Sequence, residues 1–223
     1  MISKRPKAIF VTAILPVLAL VTVASLLIGL RHFVADMLTL QARYEIGQWQ
    51  RHSGRQPTIQ DIVRIRGQLV SGLAWLPDNP AMLESIGYLY GIQSARAERV
   101  PELRNLMLKE VILNFQQALK NRPMSCYAWA NIALAKHQQN VDSDLMWRAF
   151  DRAMTYGSRE RGVQIRLATV ALDRWESAGL KRQVEVREMI ANAKGGSADA
   201  LRRLVKRSQV VSLQSMLTEP TKK

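Results

Sequence analysis

The feature that most constrains this chain is an uncharged stretch near its start. No acidic or basic residue occurs from Ile9 to Leu30. As a helix, this stretch would be about 33 Å long at 1.5 Å per residue, which matches the hydrocarbon thickness of a bilayer. Pro16 lies inside it, and membrane helices tolerate a proline at such a position. The stretch therefore predicts a transmembrane helix over residues 9–30.

A cleaved signal peptide is the main alternative to a membrane anchor. A signal peptide has an apolar core of about 7–15 residues, followed by a small-residue cleavage site. The best candidate site follows Ala24, but the residues from Ser25 to Leu30 are still apolar. A buried core helix, the other alternative, is rarely this long without a charged residue. We therefore predict that the segment is retained as an anchor.

Flanking charge predicts the orientation of this anchor. Lys4, Arg5 and Lys7 precede it without any acidic residue, whereas the flank after Leu30 mixes basic and acidic residues. Positive charge is enriched on the cytoplasmic side of membrane helices. Residues 1–8 are therefore predicted to be a cytoplasmic tail. The body would be extracytoplasmic, which means periplasmic for a single-pass protein of the bacterial inner membrane.

The helical pattern continues beyond the uncharged stretch. Phe33, Met37, Leu40 and Tyr44 have the spacing i, i+4, i+7, i+11 and form one stripe on a helix. We expect the membrane helix to continue to about Trp49. A stripe of this kind favours a packing face for the body, and a dimer seam is the alternative.

A polar segment separates this helix from the rest of the chain. The residues from His52 to Pro57 predict a linker, so residues 31–57 are interpreted as a juxtamembrane helix and linker. Thr58 resembles a helix N-cap, with Asp61 three residues later as a weak capping box. We expect one all-α domain over residues 58–223, since about 190 residues after the anchor suffice for a substantial core.

One spacing is repeated four times in the body. Each copy has an apolar residue, a second one four positions later, and a third position three residues beyond that, which is small in every copy. The copies are Ile65-Leu69-Gly72, Val111-Phe115-Ala118, Met146-Phe150-Ala153 and Val186-Ile190-Ala193, at offsets of 46, 35 and 40 residues. A fixed spacing at such offsets is typical of helical-repeat proteins, whose helix pairs must stack to bury their apolar faces.

This spacing resembles the second helix of a tetratricopeptide repeat. Leu83, Ile86, Gly87 and Tyr90 match the motif positions of the first helix, and Trp129 begins the next copy. The resemblance implies a tetratricopeptide-like superhelix with capping helices from Ser197 onward. It also implies a set of repeat-packing residues: Phe115, Ala118, Trp129, Phe150, Ala153, Ile190 and Ala193.

A second resemblance concerns the whole arrangement. The run from Arg122-Pro123 to Lys136, taken with the anchor, the size and the basic charge, is similar to VpsP-like proteins of exopolysaccharide biosynthesis clusters. That resemblance implies an inner-membrane accessory component of polysaccharide assembly or export. It brings no catalytic residues, because no such motif is present to match.

Residues with catalytic or metal-binding chemistry are sparse. His32, His52 and His137 are not spaced with Cys, Asp or Glu as a metal site requires. There is no glycine-rich phosphate loop and no nucleophile motif. Cys126 lies in an apolar helix and is interpreted as a structural thiol. The sequence therefore predicts a protein without catalytic, metal or cofactor sites.

The charge of the body points to anionic partners. The net charge is +14, and the predicted tail contributes little of it. Arg202, Arg203, Lys206 and Arg207 fall on one helical face as a candidate anion-binding surface, which Arg159, Arg161 and Arg166 would extend; a solvated cap is the alternative. An acidic polysaccharide or acidic protein fits such a surface. No nucleic-acid-binding motif is present.

These observations predict a non-catalytic, membrane-anchored scaffold that binds protein partners in a helical-repeat groove. Two alternatives remain open. One is a periplasmic chaperone-like partner of the protein-secretion translocon, although such proteins tend to be acidic. The other is a basic polysaccharide-binding module.

Overall fold

The computed structural model describes residues 5–51, 57–140, 143–208, 210 and 213, with side chains from residue 15 onward. Lys4 and the linker residues 52–56, including His52, lie outside the described residues, as do the side chains of Arg5 and Lys7. All regular structure in the described residues is helical. The helices are α1 (Arg5–Arg51), α2 (Ile59–Trp75), α3 (Pro80–Arg96), α4 (Pro101–Asn121), α5 (Cys126–Gln138), α6 (Asp144–Gly157), α7 (Arg161–Asp173), α8 (Trp175–Ala191) and α9 (Gly196–Arg207).

The chain divides into two compact units, Met1–Pro77 and Asp78–Lys223. The first contains α1 and α2, and the second contains α3 to α9. The sequence interpretation began the helical-repeat domain at residue 58, whereas α2 packs against α1 and belongs to the first unit. We call the second unit, α3 to α9, the body; it begins after α2 and not at residue 58.

Helix α1 is long and apolar enough over its described part, Leu15–Arg51, to cross a membrane. It continues without a break through Pro16 to Arg51, two residues past the predicted end of the helix at Trp49. The apolar segment and the juxtamembrane segment thus form one continuous helix. Proline is accommodated here inside a helix rather than ending it.

Helices α1 and α2 form an antiparallel hairpin. At one end the Arg31 guanidinium donates to the Trp75 carbonyl oxygen at 3.2 and 3.0 Å. At the other end Arg64 donates two hydrogen bonds to the Glu45 carboxylate, at 3.0 and 2.8 Å. The buried residues of α1 are mainly small: Ala35, Thr39, Ala42 and Ile46. The buried residues of α2 are Ile62, Ile65, Leu69 and Gly72.

The apolar stripe of α1 is not the face that packs against α2. Phe33, Met37, Leu40 and Tyr44 are exposed. The residues that pack against α2 begin at Ala35 and have the same i, i+4, i+7, i+11 spacing, but they lie on the opposite side of the helix. Small side chains allow two helices to approach closely, so the hairpin forms on the small face and leaves the large apolar stripe uncovered.

Helix α2 begins with the predicted capping box. The Thr58 hydroxyl accepts from the Asp61 backbone N–H at 3.1 Å, and the Asp61 carboxylate accepts from the Thr58 backbone N–H at 2.9 Å. The pKa of Asp61 is lowered, first by this backbone hydrogen bond and then by the Thr58 hydroxyl. Two donors at the helix start are thereby satisfied.

The second unit is a succession of packed helix pairs. Helix α3 packs on α4, α5 on α6 and α7 on α8, while α4 to α5, α5 to α7 and α7 to α9 join one pair to the next. Side-chain oxygens of Asn79, Ser125 and Ser143 cap α3, α5 and α6 by accepting from backbone N–H groups. A polar residue thus starts each of these three helices.

Large apolar side chains fill the core of this unit. Phe115, Phe150 and Leu167 are fully buried, as are the small partners Ala118 and Ala153. Close approach also depends on glycine. A Cβ at Gly87 would lie 2.9 Å from the Phe115 ring, and one at Gly157 would lie 2.5 Å from Cβ of Cys126.

The last copy of the repeated spacing differs from the earlier ones. Helix α8 is kinked at Gly179, whose φ of 76° only glycine adopts without strain. Val186 and Met189 are the buried residues that follow the kink, and Ile190 is half-buried. Ala193 lies beyond the end of the helix at Ala191. The third residue of the motif is therefore not part of a helix in this copy.

Candidate protein-binding face

Three successive first helices, α3, α5 and α7, contribute polar and aromatic side chains to one cluster. We call this cluster the tyrosine–arginine face. Its members are Glu84 and Tyr88 on α3, Tyr127 and Asn131 on α5, and Arg166 on α7. Each is partly buried. They lie in the second unit, each on the first helix of a pair.

Arg166 is held in a fixed position at the centre of this face. Its Nε donates to Asn131 Oδ1 at 3.0 Å, and its Nη1 donates to the Gly162 carbonyl oxygen at 2.7 Å. The guanidinium carbon lies 4.9 Å from the centre of the Tyr127 ring, within the range of a cation–π interaction. Asn131 in turn donates to the Tyr127 carbonyl oxygen at 2.7 Å. The cation is thus oriented before any ligand arrives.

Tyr127 connects this face to the core. Its ring meets that of Phe115 edge to face, with centroids 5.8 Å apart. Its hydroxyl is buried and has no hydrogen-bond partner among the described residues. Burial raises the pKa of Tyr127, and the Arg166 charge opposes that rise. The pKa of Tyr88 is also raised, first by burial and then by its proximity to Tyr127. Both phenols are therefore neutral at physiological pH, and the buried Tyr127 hydroxyl is not available to a partner.

The acidic member of the face is fixed by neighbours at the start of α5. The Ser125 hydroxyl donates to Glu84 Oε1 at 2.7 Å, and an Arg122 nitrogen lies 3.6 Å from Glu84 Oε2. The Glu84 side chain is only 14% exposed. The one carboxylate of the face is thus held by Ser125 and Arg122 and is not bonded to Arg166. The face can bind the backbone and charged side chains of a peptide by hydrogen bonds.

A separate cavity of about 1110 Å³ lies between α6, α7, α8 and the start of α9. Arg159, Arg161, Lys181 and Lys194 line it together with Asp151, Glu185 and Glu188. Asp151 is already engaged, because Arg182 donates to both of its oxygens at 2.7 and 2.8 Å. Lys181 lies 3.9 Å from Glu185, so Arg159, Arg161 and Lys194 share the cavity with the carboxylate of Glu188 and its lining is net positive.

The predicted basic residues separate into three places. Arg159 and Arg161 line the cavity, whereas Arg166 belongs to the tyrosine–arginine face. The α9 basic face, defined as Arg202, Arg203, Lys206 and Arg207, is exposed, while Leu201 and Val205 of the same helix are buried. Arg202 lies 3.4 Å from Asp199. Arg166 thus does not extend a surface formed by Arg159 and Arg161.

His137 forms a bridge between helix ends. Its Nε2 lies 3.0 Å from an Asp173 carboxylate oxygen, and its Nδ1 accepts from Arg174 Nε at 3.1 Å. Both ring nitrogens are therefore occupied. Within the described residues, no three His, Cys, Asp or Glu side chains lie close enough together to hold a metal ion.

The tryptophans are tied into the helix packing. The Trp129 indole donates to the Pro123 carbonyl oxygen at 2.8 Å, and Trp175 is 9% exposed. The Arg182 guanidinium lies 4.8 Å from the centre of the Trp147 ring and covers it. These three indoles do not form an exposed row on which a sugar could stack.

Sequence reasoning named Arg166 but missed its partners. Tyr127 and Asn131 are one helical turn apart, which is a signal that they share a face of α5. Nothing in the sequence indicates that Tyr88 and Arg166, on two other helices, lie near them. The five residues of the face also form no catalytic motif that could be recognised in the sequence.

Comparisons with known proteins do not assign a family. No protein-family model matches the chain, and no curated protein is significantly similar to it.

Proposed function

We propose that this protein is a non-catalytic, membrane-anchored adaptor whose tyrosine–arginine face binds a protein partner. In this proposal α1 spans the bacterial inner membrane, with the N-terminal tail in the cytoplasm and the body in the periplasm. The partner would belong to a membrane assembly for exopolysaccharide biosynthesis or export, as the resemblance to VpsP-like proteins suggests.

The succession of helix pairs supports a tetratricopeptide-like superhelix for the body. Three pairs follow one another, and contacts between α5 and α7 join first helices of neighbouring pairs. In such solenoids the first helices form an extended concave surface that binds other proteins. Phe115, Ala118, Phe150 and Ala153 would be the packing residues of the array, and Trp129 would start its second copy.

The single observation that carries the proposal is the pre-ordered Arg166. It is partly buried, stacked on Tyr127 and hydrogen-bonded to Asn131 and the Gly162 carbonyl, yet no acidic side chain is bonded to it among the described residues. A cation fixed by its own fold and lacking a carboxylate suits a partner that supplies one. Arginine and tyrosine are also the side chains that most often dominate protein interfaces.

The test is affinity purification of the full chain from detergent-solubilised membranes, followed by mass spectrometry. The wild type should retain a polysaccharide polymerase or transporter subunit. Arg166→Gln and Tyr88→Ala should each lose it, because removing one dominant interface side chain costs about 2 kcal/mol or more, roughly thirtyfold in affinity. Thermal unfolding of each variant is the control that checks whether the body is still folded.

The matched control is Arg203→Gln, which removes the same charge from an exposed site on α9. It should retain the partner at the wild-type level. Equal retention by all variants would overturn the proposal. Recovery of translocon subunits instead would overturn the exopolysaccharide assignment and favour a chaperone-like role beside the secretion machinery.

The α9 basic face favours a second candidate, binding of an acidic polysaccharide. Arg203, Lys206 and Arg207 are exposed and make no ion pair with any described residue. Binding through such exposed charges is screened by salt. The full chain should then be retained on an acidic polysaccharide at low salt, and Arg203→Glu with Arg207→Glu should release it. Absence of retention at low salt would exclude this candidate.

A further inference from the structure

The exposed stripe on α1 is longer than its juxtamembrane part. Between residues 23 and 44 it follows alternating steps of three and four residues. The seam residues are Val23, Leu26, Leu30, Phe33, Met37, Leu40 and Tyr44, each between 54 and 68% exposed. Steps of three and four give a period of 3.5 residues, which is the period of a left-handed coiled coil rather than of a single packed helix. We call this set the α1 seam.

We propose that the α1 seam pairs with the α1 seam of a second copy of this chain in a parallel coiled coil. This inference goes beyond the proposed adaptor function and needs only that α1 crosses the membrane. Every copy inserted in the same orientation presents the same stripe at the same depth. Two identical stripes with a 3.5-residue period then meet in register without any further adjustment.

Lipid cannot cover the outer half of the seam. Arg31 and His32 follow the last residue of the uncharged stretch, Leu30. At 1.5 Å per residue, Met37 lies about 10 Å and Tyr44 about 21 Å beyond Leu30, whereas the headgroup layer is only roughly 5–8 Å thick. These apolar side chains therefore stand in water unless a protein surface covers them.

Helix α2 does not obstruct the seam. Ala35, Thr39, Ala42 and Ile46, which are buried in the hairpin, fall at the two heptad positions farthest from the seam. One face of α1 therefore holds α2, and the seam lies on the face turned away from α2. The dimer would have two α1 helices at its centre and one α2 on each side.

The charges beside the seam do not oppose pairing. In a parallel coiled coil, the residue just before the first core position of a heptad faces the residue just after the second core position on the partner helix. On one side these flanking residues are Asp36 and Arg43, which already pair with each other at 3.1 Å. On the other side they are the uncharged Leu27, Val34 and Gln41. No like charges are therefore brought together across the seam.

The seam is also large enough. A side chain of this size that is more than half exposed presents on the order of 100 Å², so seven of them offer about 700 Å² per copy. A stable interface of standard size buries about 800 Å² per partner. The seam alone approaches this value before its flanking residues are counted.

The test is disulfide cross-linking of the full chain in its native membrane, in a Cys126→Ser background that removes the one natural thiol. Met37→Cys and Leu40→Cys place a thiol in the seam. Leu38→Cys is the matched control, because it lies at the same depth, is 40% exposed and points away from the seam. Two cysteines join only when their Cα atoms come within about 7 Å.

We expect both seam variants to give a band at twice 25.2 kDa on a non-reducing gel, and the Leu38→Cys band to be absent. Adding Met37→Lys to Leu40→Cys should abolish the cross-link, because it buries an unpaired charge in the interface. Equal cross-linking of Leu38→Cys, a product of another mass, or no product from either seam variant would overturn the proposal. Loss of the adaptor partner in the purification above would leave this result unchanged, so the two proposals fail separately.

Discussion

Helix α1 of the hairpin and the helices of the body use large apolar residues in opposite ways. In the body, Phe115 and Phe150 are buried between helices and alanines lie beside them. In the hairpin, the alanines of α1 make the helix contact, while Phe33 and Leu40 are exposed on the far side. Both regions have apolar residues at the same helical spacing. Spacing therefore identifies a face of a helix, but not what covers that face.

The reason lies in the number of helices that surround each face. Helices of the body have neighbours on several sides, so large side chains find a groove to fill. In the hairpin, α1 has α2 on one side, and that side needs only small residues for close contact. The large stripe is then left for a surface outside the hairpin.

The largest effect is expected when a buried and an exposed phenylalanine are each replaced by alanine and the two variants are compared. Phe150→Ala should lower the unfolding free energy of the body by about 3–5 kcal/mol, because it removes a fully buried ring and leaves a cavity. Phe33→Ala should change it by less than about 0.5 kcal/mol, since that ring is exposed. Denaturant unfolding of the full chain in detergent, followed by tryptophan fluorescence, measures both. Similar losses would remove the distinction between the two regions.

The inverse substitution should harm the hairpin instead. Ala42→Leu inserts a large side chain between α1 and α2 and should cost about 1–3 kcal/mol of their packing. Hydrogen exchange of the α2 amides, read by mass spectrometry, should accelerate. Met37→Leu, on the exposed opposite side of α1, is the control and should leave α2 protection unchanged. Unchanged protection in Ala42→Leu would mean that the small face does not hold α2.

Two glycines of α3 differ in how closely a neighbouring helix approaches them, and they test the packing of the body. Gly87→Ala should destabilise the body by about 1–3 kcal/mol, because its Cβ would lie 2.9 Å from the Phe115 ring. Gly91→Ala should stabilise it by about 0.5–1 kcal/mol, because nothing lies within 4 Å and alanine favours a helix. Thermal unfolding midpoints should therefore move in opposite directions. A gain in both variants would show that α3 and α4 can separate without cost.

The smallest effect concerns the hydroxyl of Tyr127. Tyr127→Phe should stabilise the body by about 1 kcal/mol at neutral pH, because it removes a buried hydroxyl without a partner. The raised pKa of Tyr127 also makes stability pH-dependent. This contribution is complete below pH ~10, the unfolded value, and is lost as the pH rises through the higher folded value. Above pH ~10 the unfolding free energy of Tyr127→Phe should fall less steeply with pH than that of the wild type. Identical alkaline profiles would contradict this expectation.

Much of the helix order follows from the sequence. Pro80 and Arg122-Pro123 lie at helix boundaries and Gly179 lies at a kink, because proline and glycine act through local backbone geometry. The boundary at Arg174, between α7 and α8, has neither residue, so the sequence does not mark it. The sequence does not show which face of α1 holds α2, since that depends on a neighbour that the local pattern does not specify.

The tyrosine–arginine face was less predictable than the helices. Its members lie on three helices, and their meeting depends on how the pairs stack. The sequence grouped Arg166 with Arg159 and Arg161 because they are close in the chain. In the structure Arg166 lies on a different surface, held by Asn131 and Tyr127. Charge can be counted from a sequence, but the placement of each charge requires the tertiary fold.

The central claim is that the tyrosine–arginine face contacts a protein partner that belongs to a membrane assembly. The most direct measurement is photocrosslinking in intact cells, with a photoreactive phenylalanine derivative in place of Tyr88. The account predicts a discrete adduct heavier than the 25.2 kDa chain, absent when the same group replaces Arg203 on α9. No adduct at position 88, or one formed at position 203 alone, would contradict it.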